Sequence, residues 1–164
     1  MTRTQSEPAA PATPPAAQQI AERCAAIMWA EDHAARGLGI ELLEVAPGFA
    51  RLRMAVRPEM ANGHGICHGG FIFTLADAAF SYACNSDNQR AVAAGADINF
   101  LAPAHAGDVL LAEARVRSQG RRAGIYDVEV SDQDGRAIAL FRGRASRIKG
   151  QFFVDSSHDK DTTP

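Results

Sequence analysis

Residues 62–85 read NGHGICHGGFIFTLADAAFSYACN and are the most informative stretch of the chain. A polar, glycine-rich loop runs directly into a segment that is apolar at almost every position, with Asp77 as its one charged residue. Burying a carboxylate without a partner is costly, so a lone aspartate in a core helix is typical of a functional site. We predict a buried helix from Gly69 to Asn85, with Asn85 capping its C-terminal end.

The remainder of the chain predicts one more helix and a set of strands. Apolar residues recur at helical spacing over 16–35. Alternating or β-rich segments predict strands at 40–45, 49–56, 91–101, 108–118, 123–131 and 137–149. The dipeptides Pro47-Gly48 and Asp134-Gly135 are turn signals between neighbouring strands. This order predicts an α+β fold in which helices cover one face of an antiparallel sheet.

Composition predicts a single domain at 16–154 between two polar ends. Residues 1–15 are rich in Pro and Ala without a hydrophobic pattern, so we expect a disordered lead rather than a signal peptide. Residues 155–164 hold three Asp and one Lys, which equals the net charge of −2, and we expect a flexible acidic tail. The neutral body argues against a nucleic-acid partner.

The cysteines and the longest apolar runs indicate a compartment. No run approaches the roughly 18 apolar residues of a membrane span, so no membrane partner is expected. Three cysteines without CxxC spacing favour the reducing cytoplasm, and Cys24 and Cys84 fit a helical core. Cys67 lacks a group that would orient His68 as its base, so a thiol nucleophile is not expected. The close spacing of His64, Cys67 and His68 does not match common zinc sites, so we expect no metal.

The pattern Asn62…His68-Gly69-Gly70…Leu75-Ala76-Asp77 resembles the signature of hotdog-fold acyl-CoA thioesterases. Together with the Tyr-Ala-Cys-Asn that ends at Asn85, it is most similar to the phenylacetate-degradation thioesterase (PaaI) family, over about residues 37–149. The resemblance implies a long central helix wrapped by a curved antiparallel sheet. It also implies hydrolysis of a (hydroxy)phenylacetyl-CoA or related acyl-CoA thioester to free acid and CoA, without a cofactor.

The resemblance also implies roles for individual residues. Asp77 matches the catalytic carboxylate, as general base or nucleophile, and Gly69 matches the residue whose backbone N–H polarises the thioester carbonyl. His68 and Asn62 match residues that hold the loop, the substrate or the attacking water. Some relatives carry a Ser or Thr early in the next strand to position water. The corresponding segment 93–97 reads AAGAD, so that role is left unassigned.

Further residues are candidates for contacting the substrate. Gly70, like Gly69, has no Cβ to obstruct a carbonyl, and Phe71 is either core or part of an acyl pocket. Four basic residues near strand ends are candidates for the CoA phosphates: Arg121, Arg122, Arg147 and Lys149. Ordinary solvation or protection of a sheet edge is the competing explanation for each of them.

The spacing of Gly69 and Asp77 predicts self-association. Eight helical residues separate them by about 12 Å along the axis, so the amide and carboxylate of one chain do not easily meet on one substrate atom. Two antiparallel central helices of a C2 dimer would bring one subunit's Asp77 to the other's Gly69. The resemblance agrees, since hotdog active sites lie at dimer interfaces. We therefore expect an obligate dimer, paired into a tetramer.

Two other functions compete with hydrolysis. A hotdog dehydratase or hydratase would use a histidine paired with an acid, and His68 with Asp77 is the available pair. The Asn62…His68-Gly69-Gly70 arrangement fits hydrolysis better. A non-catalytic acyl-CoA-binding sensor is the second alternative, but neither end of the chain is long enough to form a regulatory domain.

Overall fold

The computed structural model describes residues 15–154, and the predictions for 1–14 and 155–164 lie outside them. The helices are α1 (Pro15–Glu31), α2 (His33–Gly37) and α3 (Gly69–Cys84), with a 3-10 turn at Pro58–Met60. The strands are β1 (Glu41–Ala46), β2 (Phe49–Ala55), β3 (Ala91–Phe100), β4 (Val109–Gln119), β5 (Ala123–Ser131) and β6 (Ala137–Arg147). Every predicted strand is present within two residues of its expected ends.

The six strands form one antiparallel sheet in the order β1-β2-β4-β5-β6-β3. Helix α3 packs against the inner face of the sheet, where alternate strand residues are buried. In β2, for example, Leu52 and Met54 are buried while Arg51 and Arg53 face outward. The period-2 pattern read from sequence therefore separates core from surface. The predicted α+β architecture is confirmed.

The outer face of the sheet carries charged side chains in ion pairs. Arg51 bridges Glu44 and Glu113, at 2.9 and 2.6 Å. On the neighbouring strands, Asp127 accepts from both Arg117 and Arg142. These charged pairs make the outer face of the sheet the solvent-facing side, so the hydrophobic core lies between the inner face and α3.

The predicted N-terminal helix is interrupted at Asp32. The Asp32 carboxylate accepts a hydrogen bond from the Ala35 amide at 3.0 Å and caps α2, while its second oxygen accepts one from the Tyr82 hydroxyl at 2.9 Å. Aspartate side chains compete in this way with helical backbone bonding. The single helix expected over 16–35 was therefore wrong, because a side-chain cap divides it.

The ends of α3 lie where the sequence predicted them. His68 is the N-cap, and Asn85 is the C-cap with φ −106° rather than the left-handed conformation. Cys24 and Cys84 are buried free thiols, as expected of core residues. Among residues 15–154, no helix has both the length and the apolar character needed to cross a bilayer.

Candidate active site

Asn62 organises the loop that precedes α3. Its side-chain oxygen accepts hydrogen bonds from the backbone N–H groups of His64 (2.9 Å) and Ile66 (3.4 Å). The backbone N–H of Asn62 donates to the Ile66 carbonyl at 2.8 Å. Asn62 is half-buried and lies against the same cleft as Gly69. Asn62 therefore braces both ends of residues 62–66 through these hydrogen bonds.

The backbone just before α3 is fixed from two sides. The Cys67 amide donates to the Ala104 carbonyl at 2.7 Å, and the His68 amide donates to the Met60 carbonyl at 2.8 Å. These bonds tie the start of the helix to the 3-10 turn and to the segment after β3. The first amides of α3 therefore project from a rigid support, which is what an electrostatic site requires.

The first three amides of α3 differ in their partners. The Gly70 amide donates to His68 Nδ1 at 3.1 Å, and the Phe71 amide donates to the His68 carbonyl at 3.0 Å. Among residues 15–154, the Gly69 amide has no acceptor. Free N–H groups at a helix N-terminus lie at the positive end of the helix dipole. The geometry therefore distinguishes Gly69, whose N–H is available to an acceptor, from Gly70, whose N–H is occupied.

Gly69 borders an apolar cleft of about 620 Å³. One wall comes from the loop and the start of α3, and the other from the end of β3 and the segment that follows it. The lining residues are Asn62, Ile66, Cys67, Gly69, Ile72, Phe100, Leu101, Ala102, Pro103 and Ala104. Asn62 is the one side chain among them that carries hydrogen-bonding N or O atoms, so the cleft suits an apolar group with a single polar side-chain contact.

Two of the predicted site residues lie on a second, smaller cleft with Gly70. His68 and Phe71 meet edge to face with ring centroids 6.5 Å apart. Together with Leu38, Gly70 and Thr74 they line a space of about 310 Å³. The structure therefore divides the predicted cluster, with Asn62 and Gly69 on one cleft and His68, Gly70 and Phe71 on the other.

Asp77 lies half-buried in the middle of α3. Burial raises the pKa of its carboxyl above the ordinary value, because desolvation disfavours the charged form. Its carboxylate makes no hydrogen bond or ion pair within the described part of the chain. The same side of α3 leaves other residues partly exposed, namely Gly70, Phe73, Thr74, Ala78 and Ser81. The expectation of a helix buried all round was wrong for this stripe in the isolated chain.

The four predicted CoA-binding residues share one end of the sheet. The Arg147 amide donates to the Arg122 carbonyl at 2.8 Å, which joins the end of β6 to the β4–β5 turn. The Arg147 side chain is only 15% exposed and pairs with Asp87 at 2.5 Å, whereas Arg121, Arg122 and Lys149 are exposed. Since β6 runs eight residues from Ala139, beside Phe100, to Arg147, this end lies about 26 Å from the Gly69 end.

Neither thiol nor metal chemistry gains support here. Cys67 is 3% exposed, and burial raises the pKa of its thiol, which opposes thiolate formation. Within residues 15–154, no three His, Cys, Asp or Glu side chains come close enough together to hold a metal ion.

Sequence reasoning missed Phe100 as a member of this site. A Cβ built on Gly69 would lie 2.8 Å from Phe100 Cζ, so the ring rests directly against the helix start. Phe100 lies 31 residues further along the chain, and no local pattern in the sequence signals the contact. The segment 93–97 still provides no hydroxyl to position water.

The comparisons with known proteins agree with this site. A model of the thioesterase superfamily matches residues 64–139, which contain His68, Gly69, Asp77 and Phe100. The chain is 49% identical over 123 residues to the acyl-coenzyme A thioesterase PaaI of Escherichia coli strain K12, covering 75% of this chain and 88% of that protein. The chain therefore belongs to the thioesterase superfamily, and the predicted enzyme class is confirmed.

Solved structures show the same fold. The E. coli PaaI protein from the phenylacetic acid degradation operon matches with a TM-score of 0.81 at 46% identity, covering 82% of this chain and 97% of that one. A hypothetical thioesterase from Streptococcus pneumoniae TIGR4, solved with coenzyme A, matches with a TM-score of 0.65 at 27% identity, covering 68% and 90%. The predicted hotdog fold and the resemblance to PaaI are confirmed.

Proposed function

We propose that this protein is an acyl-CoA thioesterase that hydrolyses (hydroxy)phenylacetyl-CoA or a related acyl-CoA to free acid and CoA. The observation that carries the proposal is the Gly69 amide at the start of α3, which borders an apolar cleft and has no acceptor among residues 15–154. Such a donor suits the negative charge that develops on a thioester carbonyl oxygen, and contributes on the order of 3–4 kcal/mol. The relatives named acyl-coenzyme A thioesterase support the choice of substrate class.

The active site is shared between two protomers. α3 runs antiparallel to β3, because Gly69 lies beside Phe100 and Asn85 is bonded to Ala91. β3 is a ten-residue edge strand, and unpaired edges favour pairing with another chain. An antiparallel β3–β3 pair sets the two α3 helices antiparallel, and the partly exposed stripe around Asp77 then faces the partner.

A two-fold axis that runs between the two α3 helices, level with Phe73 and so midway between Gly69 and Asp77, brings one protomer's Asp77 level with the other's Gly69. The same pairing carries the basic end of one sheet toward the Gly69 end of the other. Arg121, Arg122 and Lys149 then approach the partner's cleft as contacts for the CoA phosphates. Arg147, held by Asp87, supports the turn that carries Arg122. Pairing of such dimers into a tetramer belongs to the same proposal.

Asp77 acts as a general base. Its raised pKa makes the ionised carboxylate a better proton acceptor than an ordinary aspartate. The carboxylate takes a proton from water as the water oxygen bonds to the thioester carbon, and the Gly69 N–H donates to the carbonyl oxygen. The C–S bond then breaks, and the departing thiolate takes up a proton to give free CoA. His68 and Asn62 hold the loop that presents Gly69.

The first test measures CoA release from phenylacetyl-, hydroxyphenylacetyl-, benzoyl- and straight-chain acyl-CoAs by wild type and Asp77→Asn. We expect arylacetyl substrates to be preferred, and kcat to fall about 10²–10⁴-fold in the variant. Single turnover in ¹⁸O-water distinguishes the two roles of Asp77. General-base catalysis puts ¹⁸O in the product acid and leaves the Asp77 carboxylate unlabelled. Label in the Asp77 carboxylate, with an unlabelled acid, would identify a nucleophile whose anhydride with the acyl group is opened by water at the aspartyl carbon.

The second test asks whether the site is shared. Gly69→Pro deletes the N–H at a helix position where proline is tolerated, and Gly69→Ala is the matched control that keeps it. When inactive Asp77→Asn and Gly69→Pro chains are co-expressed, a shared site leaves one intact site in each mixed dimer. Activity should then recover to about one quarter of wild type. Complementation that yields nothing would place both groups in one chain.

The alternatives have distinct outcomes. Hydration of enoyl-CoA without CoA release would identify a hydratase that uses His68 and Asp77. Tight binding of acyl-CoA with no turnover of any thioester would identify a sensor.

A further inference from the structure

We propose that Phe100 is a specificity-determining residue whose ring forms the wall of the acyl pocket beside the reacting carbonyl, and that it selects aromatic or similarly bulky apolar acyl groups. The inference rests on the proposed thioesterase function and goes beyond it by assigning acyl selectivity to one side chain.

The contact with Gly69 fixes where the ring lies. A Cβ on Gly69 would meet three atoms of the ring, Cζ, Cε1 and Cε2, at 2.8, 3.2 and 3.4 Å. A carbonyl oxygen bonded to the Gly69 N–H is therefore held by the same residue that the ring packs against. The first carbons of the acyl group, attached to that carbonyl, pass beside Phe100.

The ring is also available to a ligand. Phe100 is 53% exposed although it faces the inner side of the sheet opposite Ala139, where most neighbouring side chains are buried. It borders the apolar cleft with Ile72 and Leu101. Aromatic rings favour stacked or edge-to-face partners beyond simple area burial. An arylacetyl group placed in this cleft would gain such a partner, whereas a two-carbon acyl group is too short to cover the ring.

The test compares Phe100→Ala and Phe100→Leu with wild type on phenylacetyl-CoA and acetyl-CoA. We expect kcat/KM for phenylacetyl-CoA to fall about tenfold or more relative to acetyl-CoA in Phe100→Ala, with Phe100→Leu intermediate. Val92→Ala is the matched control, since Val92 is a 48% exposed apolar residue near the other end of the same edge strand. Thermal melting and sedimentation verify that each variant is folded and associated as wild type is.

A binding measurement keeps the inference testable apart from turnover. In the Asp77→Asn background, the Kd for acetyl-CoA divided by the Kd for phenylacetyl-CoA should fall about tenfold when Phe100 is replaced by alanine. Gly69→Ala keeps the backbone N–H but displaces the Phe100 ring, so it should also lower this Kd ratio. These Kd ratios test the role of Phe100 even if the wild-type protein hydrolyses none of the substrates. Absence of hydrolysis would overturn the proposed thioesterase activity and leave the assignment of Phe100 to be judged from binding.

Two results would overturn the role of Phe100. An equal loss for both acyl-CoAs would mean that the ring contacts the CoA portion or supports the fold. Unchanged selectivity in Phe100→Ala, with dimer and melting temperature intact, would mean that the acyl group lies elsewhere.

Discussion

Replacing Asn85 by alanine should destabilise the protein by about 3 kcal/mol. Asn85 is 5% exposed at the junction of α3 and β3. Its amide nitrogen donates to the carbonyls of Ser81 (3.0 Å) and Ala91 (3.1 Å), and its oxygen accepts from the Ala91 amide at 2.8 Å. At about 1 kcal/mol net for each bond, the three together give this figure, and the two Ala91 groups left without a partner can raise it.

The assay is urea-induced unfolding, monitored by the fluorescence of Trp29, the one tryptophan of the chain. The ring centroids of Trp29 and Tyr82 lie 6.0 Å apart. Wild type and variant are compared at equal protein concentration, because association contributes to apparent stability. The transition midpoint should fall while its slope, which reports the surface exposed on unfolding, stays the same. Asn99→Ala is the matched control, since Asn99 is an exposed asparagine on the same strand and should change stability by no more than about 0.5 kcal/mol. A loss below about 1 kcal/mol for Asn85→Ala, or one equal to the control, would refute the idea that this side chain joins the helix to the edge strand.

Two further predictions follow from Asp77 and Gly143. The folded-state pKa of Asp77 is raised, so protonated Asp77 favours the folded state at low pH, and this contribution is lost as pH rises through that pKa. Asp77→Asn should therefore raise the melting temperature at pH 7 more than at pH 4, and an equal rise in melting temperature at both pH values would contradict this. The same substitution should remove the increase of kcat/KM with pH. Gly143→Ala should destabilise by about 1–3 kcal/mol in urea unfolding, because its Cβ would lie 2.6 Å from Phe80 Cδ2 in the core. Gly37→Ala is the control, because no atom of the described residues 15–154 lies within 4 Å of the added Cβ. Equal losses of stability in the two variants would show that the Phe80 contact relaxes freely.

The bounds of α3 were predictable because their determinants are local. The glycines at 69 and 70, the apolar run and Asn85 are consecutive in sequence, and the helix lies at Gly69–Cys84 as expected. The strands were predictable for the same reason, since alternation over a few residues reports which side chains are buried. The one helix that was misassigned broke at Asp32, whose carboxylate binds Tyr82, a residue 50 positions away.

The sequence by itself determined the family resemblance, the α+β class and the likeness of Asp77 to a catalytic carboxylate, because these depend on residue types at fixed spacing along the chain. Only the tertiary structure decided that, of the two glycine amides, Gly70 has an acceptor and Gly69 has none within residues 15–154. It also decided that His68 and Asn62 lie on different clefts and that Phe100 packs against Gly69. It also decided that the basic residues lie at the end of the sheet away from Gly69. Those relationships depend on how distant segments pack and on strand register, and neither is encoded in any short stretch of residues.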